Sequence, residues 1–300
     1  MDTIIQKLND GFPVLADGAM GTLLQQWGHG DVQCLEMLNI DNPEVIAEVA
    51  RKYLEAGAEI IQTNTFGCSP IKLAEKGLSE KYREISVKAV DIIQQVVGDR
   101  AWIAGDYGSC GVSLQPFGDL EIEDYKDSCR KQFLALAEAG VDAFSIETMM
   151  DLREGVIAIE MAREVAPDMF IMASATFNQT PAGYFTPYGQ KVEQVARRYR
   201  DAGADAVGAN CSLGVDMMIP IAQQFRQSTS LPIIIRPNAG LPEMVNGKAV
   251  WEESPELFAA GAKKLLDAGV NIIGGCCGTT PEHIRAMRKM MEEREKKDRS

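Results

Sequence analysis

Histidine is nearly absent from this chain: among 300 residues only His29 and His283 are found. His29 falls in a loop and His283 in the first turn of the last expected helix, positions that suit surface or capping roles rather than ligation. Positive charge is also scarce, with 30 Lys and Arg against 43 Asp and Glu and a formal net charge of -13. Nucleic acid and anionic membrane surfaces both need a basic face, so neither is expected as a partner. No apolar run reaches the ~18 residues of a membrane span, and the opening MDTIIQKLNDGFP lacks the basic segment and apolar stretch of a secretion signal. The expectation is a cytoplasmic protein. An even set of cysteines is missing too: there are 7, which disfavours a disulfide framework and leaves metal or catalytic roles open. No linker or low-complexity segment divides the chain, so residues 1–300 are expected to form one domain, with 291–300 (MEEREKKDRS) a charged helix end or tail.

What is present alternates. Apolar runs at Pro13–Asp17, Glu59–Thr63, Ala101–Asp106, Val141–Glu147, Met169–Thr176, Ala204–Cys211, Leu231–Pro237 and Val270–Cys276 are separated by segments with apolar residues at three and four spacing. Pro43–Ala56, Lys81–Val97, Asp124–Ala139, Leu152–Val165, Val192–Ala202 and Pro255–Ala268 are such helical segments. Eight strand-then-helix units predict an α/β fold, a single (β/α)8 TIM barrel. An internal echo supports it: EAGAEIIQTN, EAGVDAFSIE, DAGADAVGAN and DAGVNIIGGC precede the second, fourth, sixth and eighth runs, each with a glycine placed to end a helix.

In such a barrel the chemistry lies where strands end, and the run ends are rich in glycine, acids, amides and cysteine. The stretch VNIIGGCCGTTPEH delivers Cys276 and Cys277 into a glycine loop. Adjacent strand side chains face opposite ways, so the two thiols converge only if the chain leaves strand geometry, which Gly274, Gly275 and Gly278 permit. Two thiolates are an incomplete zinc site, and Cys211, ending the sixth run, shares layer parity with the eighth. Zn2+, one per chain, is therefore expected on Cys211, Cys276 and Cys277, with Asn210 and Gly275 beside them in support. A thiol bound in the open fourth position would be deprotonated near neutral pH, which favours alkyl transfer to sulfur. The loop Asp17, Gly18, Ala19, Met20 offers backbone N–H groups for a carboxylate. Asp17, Asp106 and Glu147 could together hold an ammonium. These features describe a thiol amino acid.

The segments ADGAMGT, ETMMDLREG, GANCSLG and GGCCGTTPEHI resemble the homocysteine S-methyltransferase family, most closely the N-terminal homocysteine-binding barrel of cobalamin-dependent methionine synthase. That resemblance implies zinc on the three cysteines, homocysteine held by the Asp17–Met20 loop and Glu147, and methionine as product. Eight units consume the length, and neither histidine sits in a D-x-H-x-x-G pattern, so methylcobalamin is not expected to bind this chain alone. A methylated corrinoid protein is the expected donor, with S-methylmethionine or betaine as small alternatives. A zinc thiol-alkyltransferase with another thiol acceptor, or a non-catalytic adaptor, is the rival reading.

Overall fold

The computed structural model describes residues 3–30, 32–245 and 248–298. Eight strands, β1 (Val14–Leu15), β2 (Ile60–Gln62), β3 (Trp102–Gly108), β4 (Ala143–Met149), β5 (Phe170–Ala175), β6 (Ala206–Gly214), β7 (Ile233–Asn238) and β8 (Ile272–Ile273), form one parallel sheet. It closes on itself: Val14 pairs with Ile272 on one side, and Ala16 bridges Ile60 on the other. The crossover helices are α1 (Pro43–Glu55), α2 (Tyr82–Val97), α3 (Ile122–Ala139), α4 (Leu152–Val165), α5 (Val192–Ala202), α6 (Val215–Ser228), α7 (Pro255–Asp267) and α8 (Pro281–Asp298). The expected TIM barrel is the fold. Among the described residues no helix is long and apolar enough to cross a membrane. The last two residues of the expected tail lie outside the described ones, and its helical part belongs to α8.

The four echoed glycines do the work their spacing predicts. Gly57, Gly140, Gly203 and Gly269 stand at φ of 99°, 93°, 105° and 93°, left-handed positions that end α1, α3, α5 and α7 and turn the chain into the next even strand. Two short antiparallel ribbons were not anticipated, Asn178–Thr180 with Gly183–Phe185 and Glu243–Val245 with Lys248–Val250; both lie in loops that follow strands.

Alternation along the strands sorts the side chains into two cores. Leu15, Ile61, Ile103, Phe144, Ile171, Val207, Ile235 and Ile273 face outward into the helices. Val14, Ile60, Trp102, Ala143, Phe170, Ala206, Ile234 and Ile272 face inward and fill the lower barrel, with Ile4 packed against them from the N-terminal helix Ile4–Asn9. Further along β2, β3, β4 and β7 the inward layer becomes polar: Ile60 gives way to Gln62, Ala104 to Asp106, Ala143 to Ser145 and Glu147, Ile234 to Arg236. This gradient gives the barrel a dry floor and a polar mouth.

Glu154, in the first turn of α4, fastens the loop after β3 to that mouth. Its buried carboxylate accepts from Cys110 N–H at 2.8 Å and from Ser109 Oγ at 2.9 Å. Burial raises its pKa against the favourable bonds from Cys110 and Ser109. The folded chain therefore holds this proton more tightly than the unfolded chain does. The ionised carboxylate costs stability that is absent below the unfolded pKa of about 4.3 and fully felt above the raised folded value. Glu154→Gln keeps an acceptor for Cys110 N–H and removes the charge. Relative to wild type, its melting temperature should be higher at pH 7.5 than at pH 4, whereas an unchanged difference between the two pH values would contradict the assignment.

Candidate active site

Beyond β8 the chain leaves the sheet, and backbone bonds fix the loop that bears the two thiols. Cys276 N–H donates to Pro237 O at 2.7 Å, and its carbonyl accepts from Thr279 Oγ1 at 2.7 Å. Cys277 O accepts from Ala239 N–H at 3.0 Å. Gly278 follows at φ 80°, where an added Cβ would stand 2.3 Å from Trp251 Cβ, so both conformation and space demand glycine.

Cys211 reaches the same point through a bulge in β6 between Asn210 and Gly214, with Cys211 and Ser212 at φ 62° and 63°. Across the mouth Thr148, after Glu147 on β4, is also left-handed at φ 58°. One buried side chain serves both bulges: Asn210 Oδ1 accepts from Thr148 N–H and Asn210 Nδ2 donates to Thr148 Oγ1, each at 2.8 Å. Asn210 Nδ2 also stands 3.9 Å from Cys276 Sγ. Left-handed non-glycine residues cost on the order of 1 to 3 kcal/mol each, and they persist where surrounding bonds over-determine them. The result is convergence: the sulfurs of Cys211, Cys276 and Cys277 lie within 4.8 Å of one another, with Cys211 and Cys277 at 3.7 Å.

Beside the thiols a buried polar cluster spans the barrel. Arg236, from β7, donates through Nη2 to Asp17 Oδ1 at 2.8 Å, through Nη1 to Glu147 Oε1 at 2.6 Å and to Gln62 Oε1, and through Nε to Gly275 O at 3.1 Å. Gln62 in turn donates to Glu147 Oε1 at 2.6 Å and Ser145 Oγ at 3.0 Å, while its N–H meets Asp17 Oδ2 at 2.8 Å. Burial raises the Asp17 pKa to about 6 despite Arg236. Burial also works against the Arg236 charge, but Glu147 and Asp17 more than offset it and hold the guanidinium protonated. Asp106 is pushed well above the carboxylate range by burial and then by the Glu147 charge.

A cavity of about 330 Å3 opens between these groups, lined by Asp17, Gly18, Ala19, Met20, Asp106, Glu147, Arg236, Gly275 and all three thiols. The structure thus brings together every residue expected at the site except Asn210, which supports the thiols from behind. The loop's donors are fewer than expected, because Ala19 N–H already meets Thr279 Oγ1 at 3.1 Å, which leaves Gly18 and Met20 to offer theirs. His283 is buried rather than at the surface. Its Nδ1 caps Thr280 N–H at 3.1 Å and its Nε2 meets Glu253 O at 2.9 Å, so it braces the helix after the thiol loop. Sequence reasoning missed Arg236 and Gln62.

Residues 14–291 match the family model described as homocysteine S-methyltransferase. The chain belongs to the homocysteine S-methyltransferase family. It is similar to the methionine synthases of Mycobacterium leprae and Mycobacterium tuberculosis, 29% identical to each over 302 aligned positions that take in 95% of this chain but 24% and 25% of those proteins. It therefore spans about a quarter of the length of these relatives. Among solved structures, the metallated form of the homocysteine methyltransferase MmuM from Escherichia coli superposes with a TM-score of 0.79 at 24% identity, covering 96% of this chain and 99% of that one. A methyltransferase from Methanosarcina mazei reaches 0.61 at 13% identity over 95% and 94% of the two chains. At such identities these two show a shared barrel. The family is one of methyl transfer to the homocysteine thiol.

In this member of the homocysteine S-methyltransferase family the three sulfurs can be compared with a metal's needs by distance. Zinc–thiolate bonds of about 2.3 Å in a tetrahedral array place sulfurs roughly 3.8 Å apart, close to the 3.7 Å between Cys211 and Cys277. Without a cation the trio titrates as a unit. Hydrogen bonds from Cys276 and Cys277 lower the Cys211 pKa to about 3, and the same bonds, given to Cys211, push Cys276 up to about 12 and Cys277 higher still, with burial adding to both. Only a cation would let all three ionise near neutral pH, so the residues fit a soft divalent metal. Cys34, Cys68, Cys110 and Cys129 are buried away from this trio, and among the described residues it is the one grouping of thiol, imidazole or carboxylate ligands close enough to hold a metal.

Proposed function

We propose that this chain moves a methyl group to the thiol of homocysteine to give methionine, with Zn2+ on Cys211, Cys276 and Cys277 and a methylated corrinoid protein as donor. The observation that carries the reading is the shared cavity, in which three convergent sulfurs face buried carboxylates. Zinc held by three thiolates would keep the acceptor sulfur ionised at neutral pH while leaving it electron-rich enough to attack carbon. The chain supplies the rest. Gly18 and Met20 orient the amino-acid carboxylate through their N–H groups, the acidic wall meets the ammonium, and Arg236 keeps that wall in place. Together they hold the thiol end against the metal, so that attack is effectively intramolecular.

For the donor, support comes from the resemblance to methionine synthase and from the length of the mycobacterial relatives, about four times that of the matched region. The cytoplasm is the proposed location. Single-turnover assays with homocysteine and, in turn, a methylated corrinoid protein, free methylcobalamin, S-methylmethionine and betaine test the reading. Methionine should form fastest with the corrinoid protein. Rapid formation from S-methylmethionine or betaine, with none from either corrinoid, would overturn the donor. Turnover with other thiols but not homocysteine would overturn the acceptor.

A further inference from the structure

The loop after β1 rests on two buried hydroxyls that come from distant parts of the chain. Thr279, 1% exposed between the thiol loop and α8, donates its hydroxyl proton to Cys276 O at 2.7 Å and accepts from Ala19 N–H at 3.1 Å. A hydroxyl has a single proton, so with that proton on Cys276 O it meets Ala19 only as an acceptor. Tyr53, on α1 and 1% exposed, shares its phenol proton between Ala19 O at 2.8 Å and Thr279 O at 3.2 Å. Burial and then the Asp17 charge hold that phenol protonated, so it stays a donor. Ala19 is thus gripped at both its N–H and its carbonyl. A Cβ added at Gly18 would stand 2.8 Å from each hydroxyl, so the loop lies directly on them.

These grips decide where the neighbouring N–H groups point. In a trans peptide a carbonyl and the N–H of the next residue face opposite ways, and among the described residues the one cis bond is Gln115–Pro116. Fixing Ala19 O on Tyr53 therefore aims Met20 N–H away from Tyr53, and fixing Asp17 O on Gly275 N–H at 2.9 Å aims Gly18 N–H in the same manner. Gly18 and Met20 line the cavity, whereas Tyr53 and Thr279 stand behind it. We infer that Tyr53 and Thr279 are positioning residues for the acceptor, Tyr53 by setting the peptide plane that presents Met20 N–H to its carboxylate and Thr279 by tying that loop to the backbone of Cys276. This rests on the homocysteine reading above and deepens it. One hydroxyl joins Ala19 N–H to Cys276 O, so the span from the carboxylate donors to the thiols is set by side chains that touch neither end of the acceptor.

Calorimetric titration of the zinc-loaded protein with homocysteine and with 3-aminopropane-1-thiol, which lacks the carboxylate, tests the assignment, with zinc content measured for every variant. Wild type should bind homocysteine about 10-fold more tightly than the aminothiol or better, as for hydrogen bonds to a charged group. Tyr53→Phe removes one oxygen and should weaken homocysteine about 10-fold, change the aminothiol less than about twofold and leave zinc content unaltered. Thr279→Val should act in the same direction, and Thr279→Ser, which restores the hydroxyl, should recover most of the loss. The two Thr279 variants decide the matter if Tyr53→Phe does not fold. Equal weakening of both thiols, unchanged homocysteine affinity in Tyr53→Phe and Thr279→Val, or a Thr279→Ser as impaired as Thr279→Val would overturn the inference. A wild type that binds both thiols equally would remove the carboxylate contact and the inference with it. A wild type that binds neither would overturn the homocysteine reading itself.

Discussion

A Cys276→Ser, Cys277→Ser double variant is expected to retain less than about one-tenth of an equivalent of zinc after dialysis, against about one for wild type, and to lose methyl transfer entirely. Two of three donors are gone, and Cys211 alone cannot hold a metal against water. The fold should survive, because the loop is fixed by backbone bonds from Cys276 N–H to Pro237 O and from Ala239 N–H to Cys277 O, none of which uses a sulfur. Circular dichroism and melting should therefore show a folded barrel beside the metal loss. Each single Cys→Ser change, Cys211→Ser included, should follow the same direction with a smaller loss. Cys34→Ser supplies the control: that thiol is buried with Leu73 and Ile85, donates to Glu36 at 3.2 Å and lies apart from the trio, so zinc content should not change. Full zinc occupancy in the double variant would refute the assignment.

Arg236→Met should destabilise the folded chain by about 3 to 5 kcal/mol, the cost of leaving buried carboxylates without their cation. Both of its ion pairs lie beneath the solvent, with the Arg236 side chain 4% exposed and those of Asp17 and Glu147 3% and 9% exposed, so little of the loss is screened. Arg236→Lys should recover only part of it, because a single ammonium cannot reach Asp17, Glu147, Gln62 and the Gly275 carbonyl at once as a guanidinium fork does. Removing one surplus charge should help more: Arg236→Met combined with Asp17→Asn is expected to be more stable than Arg236→Met alone. Denaturant midpoints at constant slope measure all three. A change below about 0.5 kcal/mol for Arg236→Met, typical of a surface position, would show that the carboxylates do not depend on it.

The barrel was legible because its strands are buried on both faces and read as short apolar runs, while its helices keep a three-and-four pattern. Leu152–Val165 and Val192–Ala202 fall at their expected bounds, and Lys81–Val97 begins one residue later. α6 is harder to read, since Pro220 lies inside it and breaks the pattern that would announce a helix. The thiols were legible from chemistry, as two adjacent cysteines in a glycine loop suit no core. The bends that make them converge were not, because left-handed Thr148, Cys211 and Ser212 depend on Asn210 bridging two strands distant in sequence. Arg236 escaped notice although a signal existed. It stands two residues after inward-facing Ile234, so on a strand of this barrel it must also point inward and needs acidic partners there. A substrate ammonium is thus not the first cation these carboxylates meet, because Arg236 already pairs with Asp17 and Glu147.

The Asn210 bridge has a consequence for measurement. It ties the residue after Glu147 to the residue before Cys211, so the wall proposed to meet an amine and the sulfurs proposed to hold a metal are joined by two hydrogen bonds. If that link transmits any free energy, the exchange must be symmetrical: whatever factor metal occupancy adds to acceptor affinity, acceptor occupancy adds to metal affinity. Chelator titrations run with and without saturating homocysteine would then displace the half-stripping point by the same factor that metal removal takes from homocysteine binding. A metal affinity determined on the chain alone would describe only one corner of that cycle.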